Sequence, residues 1–136
     1  MTGTPEAEML ARREIKAAEK EERENLERAH EAAQLSAEIN NAYLKNQSLS
    51  RAEFKKLERL GKLTRRIREY AGGTDGEVTI DNVPHELKTA LEKLTEHCEA
   101  LLKEVEKTPR QVISASVIER TNQLLEIIRY VRSLSQ

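Results

Sequence analysis

Apolar residues recur along this chain at steps of three and four, the period of a helix with one face turned inward. Residues 51–71 place Phe54, Leu57, Leu60, Gly61, Thr64, Ile67 and Ala71 on one face. Residues 84–107 carry Leu87, Leu91, Leu94, Cys98, Leu101 and Val105 as a heptad seam, which Ala90 and Leu102 widen into a bundle-core stripe. Residues 109–134 align Ile113, Val117, Thr121, Leu124, Ile128 and Val131. Val112, Ile118, Leu125, Ile127 and Leu134 spread that helix's apolar surface beyond one face, as in a helix buried on two sides.

Residues 5–47 read as one long helix, or two joined end to end, whose character changes part way. Up to Glu24 the apolar positions are sparse: Met9, Leu10 and Ile15, then only Ala17 and Ala18. Glu8 with Arg12, Glu19 with Arg23 and Glu24 with Arg28 are charge pairs four apart in the favourable order, each worth about 0.2–0.5 kcal/mol. This half has little to bury and is expected to project. From Leu26 a thin line through Ala32, Leu35, Ile39 and Ala42, with Tyr43 alongside, allows the second half to dock.

Local signals mark the ends. Leu49, Ser50, Glu53 and Phe54 form a capping box with a hydrophobic staple. Thr108 followed by Pro109 is a second helix start, and Thr4 followed by Pro5 a weaker third. Asn46, Gln47 and Ser48 end the first helix, and Gly72 and Gly73 supply a left-handed C-cap. Between Gly72 and Val83, Val78, Thr79 and Ile80 look strand-like but have no partner strand. An extended strap laying Val78 and Ile80 on the bundle is expected, and Pro84 is expected to open the next helix.

The expected fold is all-α: an up-down-up three-helix bundle (about 51–71, 84–107 and 109–134) preceded by a long charged helix. The expected division is 1–48 for the charged helix, its second half docking, and 49–136 for the bundle. The tight joint at residues 106–108 also allows a kinked, near-continuous helix, which would favour a dimer. A unit of about 85 residues is near the size at which one core barely suffices, so docking of residues 26–46 or self-association is expected.

Composition narrows the function. Aromatic content of 3% with no Trp argues against a sheet sandwich, a haem pocket or a base-stacking surface. A net charge of −1 requires any electrostatic partner to meet a local patch. No apolar run approaches the roughly 18 residues of a transmembrane helix. Residues 1–8 lack the basic and apolar regions of a signal peptide. The expected location is cytoplasmic if Met1 opens the native chain, and that of an exported mature chain otherwise. A lone Cys98 says nothing about redox compartment.

The candidate chemistry is thin. Glu27 and His30 have the spacing by which a helix offers two ligands to a di-iron centre, but neither His85 nor His97 supplies the second copy that such a centre needs. His97 and Cys98 are adjacent, so on a helix they diverge by about 100° and cannot chelate together. Cys98 continues the leucine seam and is expected as a small buried hydrophobe. The Gly72–Gly76 loop lacks the Lys and Ser/Thr of a phosphate loop, and Asp75, Glu77 and Asp81 miss calcium-loop spacing. No catalytic residue, metal ligand or cofactor is expected.

One local charge feature stands out. Arg51, Lys55, Lys56, Arg59, Lys62, Arg65, Arg66 and Arg68 face only Glu53, Glu58 and Glu69 across residues 51–69. Lys55, Arg59, Lys62 and Arg66 share one face. Their counterpart could be the acidic first helix, with ten acidic residues against seven basic, in the same chain or another. It could also be an acidic protein, a nucleic acid or an anionic membrane surface. The absence of an aromatic residue on that face counts against base stacking.

Residues 55–73 and 107–134 resemble segments of small helical bacterial proteins, some of them exported, and the resemblance carries no functional residue. The function expected from the residues is a non-enzymatic interaction or assembly module. It would bind a protein, plausibly its own copy, through exposed helix faces that include Lys55, Arg59, Lys62, Arg66, Ile118 and Leu125. Nucleic-acid or anionic-surface binding through the basic helix 51–68 is the alternative.

Overall fold

The computed structural model describes residues 3–76, 80, 82–108 and 112–135. It is all-α among them: α1 (Pro5–Asn46), α2 (Arg51–Tyr70), α3 (Leu87–Lys107) and α4 (Ala115–Leu134).

The helix ends follow from the caps. The Thr4 hydroxyl accepts the Ala7 N–H at 3.2 Å, with Pro5 at the first helical position, and α1 runs unbroken to Gln47, whose φ is 58°. At α2 the Glu53 carboxylate accepts both the Ser50 N–H (2.8 Å) and the Ser50 hydroxyl (2.7 Å). Those two bonds hold the Glu53 carboxyl below the usual carboxylate range. Leu49 and Phe54, the staple pair, pack on the core. Past α2, Gly72 takes a φ of 91° and the Gly73 N–H donates to the Arg68 carbonyl at 2.9 Å.

Two helix starts fall later than expected. α3 begins at Leu87, because Pro84 is buried against the bundle and the chain around it is still extended. α4 begins at Ala115, where the Ser114 hydroxyl accepts the Val117 N–H at 3.3 Å. Thr108 is extended instead of capping, and its hydroxyl donates back to the Glu104 carbonyl at 2.6 Å. Pro109, Arg110 and Gln111 lie outside the described residues. Thr108 and residues 112–114 are non-helical, so α3 and α4 are two separate helices instead of one kinked helix. Ile113, expected on the inner seam, stands 77% exposed before the helix starts.

The core draws on all four helices. Leu57, Leu60 and Ile67 of α2, Leu91, Leu94, Cys98 and Leu101 of α3, and Val117, Leu124, Ile127, Ile128 and Val131 of α4 are buried together with Ala29, Ala32 and Ile39 of α1. Three buried hydroxyls are satisfied within their own helices: Ser36 donates to the Ala33 carbonyl, Thr64 to Leu60 and Thr121 to Ile118.

Packing partners fix the arrangement. α1 packs on α2 and α3, and α4 packs on the same two helices; α2 and α3 do not meet among the described residues, nor do α1 and α4. The helices thus occupy four corners in the order α1, α2, α4, α3. Neighbours run antiparallel: Glu31 and Glu38 of α1 pair with Arg59 and Lys56 of α2. Arg68 meets Asn122 near one end of the α2–α4 seam, and Lys55 lies with Ser135 near the other. The expected up-down-up succession of α2, α3 and α4 is thus not what joins them, for α2 and α3 point the same way across a diagonal.

Residues 71–86 make that possible. At about 3.3 Å per residue they reach some 50 Å, against roughly 30 Å for a helix of α2's length. Ile80 is half-buried and packs on the core, as a strap requires; Val78 and Thr79 lie outside the described residues.

α1 is about twice as long as its neighbours. Residues 5–23 are solvent-exposed apart from half-buried Ala18, and burial begins in earnest at Asn25. Beyond the bundle, then, about 30 Å of bare helix extends as an arm.

Candidate functional site

The basic residues of α2 divide by their position on the helix. Arg59 turns toward α1 and makes a two-pronged bridge to Glu31, at 2.8 and 3.1 Å, which holds the Glu31 carboxyl below its ordinary range. Lys56 pairs with Glu38 at 3.5 Å. Lys55, Lys62 and Arg66 are exposed with no ion-pair partner among the described residues. Part of the basic helix is thus matched internally by α1, and the outward part is not. The Arg59–Glu31 bridge is solvent-exposed and worth little as stability; it orients Arg59 away from the outer stripe.

The outer face continues onto α4. Between α2 and α4 lies a groove of about 610 Å³. Its floor includes Leu57, Gly61, Leu125 and Ile128, and its walls carry Lys62, Arg65, Arg129 and Arg132 against Glu58 and Glu126. Arg129 is bonded to Glu126 at 3.2 Å. Lys62, Arg65 and Arg132 have no ion-pair partner among the described residues, and Glu58 is the acid left among them.

At one end of the groove Arg68 is buried and structural. Its Nη1 donates to Asp75 (2.7 Å) and to the Asn122 side chain (2.9 Å), tying α2, the start of the 71–86 crossing and α4 together. Its Nε has no partner among the described residues. The loop acid Asp75 is thereby engaged by a guanidinium.

Two apolar residues expected on the partner surface sit differently from each other. Ile118 is half-buried and covers Gly73, where an added Cβ would come within 2.7 Å of the isoleucine Cγ1. Leu125 is half-buried and lines the groove. The α2 stripe and Leu125 therefore border one surface, and Ile118 belongs under the loop.

Gly61 has no steric reason to be glycine within this chain. An added Cβ would meet nothing nearer than the Arg65 Nη1, at 3.6 Å. A glycine inside a helix costs about 1 kcal/mol relative to alanine. Gly61 is buried on the groove floor beside the Arg65 side chain.

The remaining chemistry is quiet. His30 and Glu27 are exposed on α1, and the described residues hold no cluster of three potential metal-ligating side chains. Cys98 is fully buried, with its thiol pushed up to about 12 by desolvation while Ser36 pulls weakly the other way. His97 is half-buried; Arg120 donates to its Nδ1 at 3.2 Å and to Glu104 at 2.7 Å. Burial, then the Arg120 and Lys93 charges, lower the His97 pKa against the opposing pull of Glu104. A small cavity of about 70 Å³ near the arm's root is lined by Leu26, Val105 and Val117 with buried Asn25.

Sequence reading found the α2 stripe but not its continuation. Arg129 and Arg132 come from a helix far along the chain, and only the α2–α4 packing brings them beside Lys62 and Arg65. Their spacing of three, on the flank of an apolar seam, was the one available sign. No helix of the described residues is long and apolar enough to cross a membrane. No protein family, curated protein or solved structure matches this chain.

Proposed function

We propose that this protein is a non-enzymatic helical interaction module that binds protein through the outer face of α2 and the adjoining α2–α4 groove. The observation that carries this reading is the set of exposed cations left without internal partners: Lys62, Arg65 and Arg132 lining the open α2–α4 groove, with Lys55 and Arg66 on the adjoining outer face of α2. Charges at such a rim steer encounter and select partners, while half-buried Leu125 supplies apolar contact.

A second reading, nucleic-acid binding through the same cations, is favoured by their number and separated by salt. Phosphate contacts make affinity fall steeply as salt rises. A photo-crosslinker at position 62 or 129 is expected to trap protein. Sequence-independent oligonucleotide binding at physiological salt, abolished by Lys55→Glu, Lys62→Glu and Arg66→Glu together, would overturn the first reading. Arg59 is left out of that set because its loss also breaks the bridge to Glu31.

A further inference from the structure

The arm of α1 carries two unlike faces. Counting along the helix from the core positions Ser36, Ala32, Ala29 and Asn25, the same seam continues through Glu21, Ala18, Glu14, Ala11 and Ala7 at steps of three and four. Arg12, Lys16, Lys20 and Arg23 follow another line on the far side. The seam that packs on α2 and α3 lower down is therefore presented by the arm as alanines punctuated by two carboxylates, with no helix beneath it. Glu14 and Glu21 have no ion-pair partner among the described residues.

The α2–α4 groove presents the complement. Arg68 opposite Asn122 and Lys55 beside Ser135 put Arg132 level with Glu58 on α2. Arg65 and Arg132 are then about seven helical positions apart along the groove, about 10 Å at 1.5 Å per residue, with Gly61 between them. Glu14 and Glu21 are also seven apart, with Ala18 between them. The groove lining runs from Leu57 to Arg68 on α2 and from Asn122 to Arg132 on α4, about 17 Å of helix, so it accommodates the part of the arm that holds Glu14, Ala18 and Glu21.

We propose that the α2–α4 groove of one copy receives residues 5–24 of a second copy, Ala18 lying over Gly61 and Glu14 and Glu21 against Arg65 and Arg132. This rests on the reading of the groove as a protein-binding surface and names its occupant. Gly61 is buried beside the Arg65 guanidinium, so Arg65 must swing out toward a carboxylate of the arm for Ala18 to settle there. The carboxylates meet cations that no residue of their own bundle uses, with Glu58 as the opposing charge. An arm of one copy in the groove of the next is a heterologous contact, which closes if two copies exchange arms and extends if they do not.

The test is the mass of the full chain by sedimentation equilibrium, read against salt and concentration. The native chain is expected to self-associate, more weakly as salt rises. Arg65→Glu with Arg132→Glu, and separately Glu14→Lys with Glu21→Lys, should each give monomers whose thermal midpoints match that of the native chain diluted to monomer, since all four side chains are exposed. Mixing those two variants should restore association, because each arm then meets a groove of opposite charge. Gly61→Leu should weaken it at least tenfold by filling the floor. A native chain that stays monomeric, or folded variants whose mixture fails to associate, would overturn the proposal. If such a monomer still crosslinks a different protein at position 62, the wider reading stands and only the occupant is wrong. If instead it binds an oligonucleotide and loses it with Arg65→Glu and Arg132→Glu, both fall.

Discussion

Gly73 lies directly against Ile118, so close that a β-carbon on the glycine would sit 2.7 Å from one isoleucine carbon and 2.8 Å from another. The contact seats the beginning of the crossing segment on α4. Gly73→Ala is therefore expected to destabilise the fold by about 1–3 kcal/mol through overpacking. Gly61→Ala, on the open groove floor, is expected to stabilise it by up to about 1 kcal/mol. Urea unfolding of the two variants should move in opposite directions; a shift of the same sign for both would refute the packing described.

Cys98 should be silent in the native protein. A thiol pushed up to about 12 and fully buried offers almost no thiolate at neutral pH. Thiol reagents should label it only on unfolding. Cys98→Ser should cost roughly 1–3 kcal/mol by placing a hydroxyl in an apolar seam, with Cys98→Ala milder because the small loss can partly close. Rapid native labelling would show that the α3 register is misplaced.

Acid should weaken the fold, and His97 should be part of the reason. Its pKa is lowered in the folded state, so the unfolded chain takes up the proton first as pH falls. The associated stability is complete above the ordinary histidine value of about 6.5 and declines as pH drops below it. Glu31 and Glu53, also lowered, act in the same sense at more acidic pH. Thermal midpoints across pH 7 to 5 should fall less steeply for His97→Gln than for the native chain; equal slopes would remove His97 from the account.

The two halves of α1 should differ in what they support. Deleting residues 1–24 removes exposed helix and should leave the midpoint of thermal unfolding nearly unchanged when both chains are compared at concentrations dilute enough to be monomeric. Deleting 1–47 removes Ala29, Ala32 and Ile39 from the core and should lower it strongly. Equal effects would sink this difference.

What the sequence made legible was local. Ser50 and Glu53, Gly72, and the leucine seam of α3 are where short-range rules and packing agree. Misjudged were positions where tertiary contact outweighed a local signal. Pro84 reads as a helix opener, yet it is drawn into the bundle and the helix waits three residues. Ile113 fits an apolar seam by spacing but precedes the helix that would aim it inward. The four-cornered order was not readable, because a long connection permits either direction for α3 and only packing decides. The same holds for the groove: Arg65 and Arg132 are 67 positions apart in sequence and line one groove only because α2 packs on α4.

Because α2 and α3 are not packed as neighbours among the described residues, chain connectivity divides the molecule into two antiparallel hairpins, α1 with α2 and α3 with α4, that grip each other along two seams. Residues 71–86 then act as a tether between two halves of one core instead of as a turn. Doubling a tether's length costs only about 0.6 kcal/mol, so insertions beside Gly76 should be tolerated far better than their size suggests. Severed there, fragments 1–76 and 77–136 would each expose one bare apolar side. Mixed, they should find each other and rebuild the native helical signal: in its assembly, a single polypeptide that behaves as a heterodimer joined by its own chain.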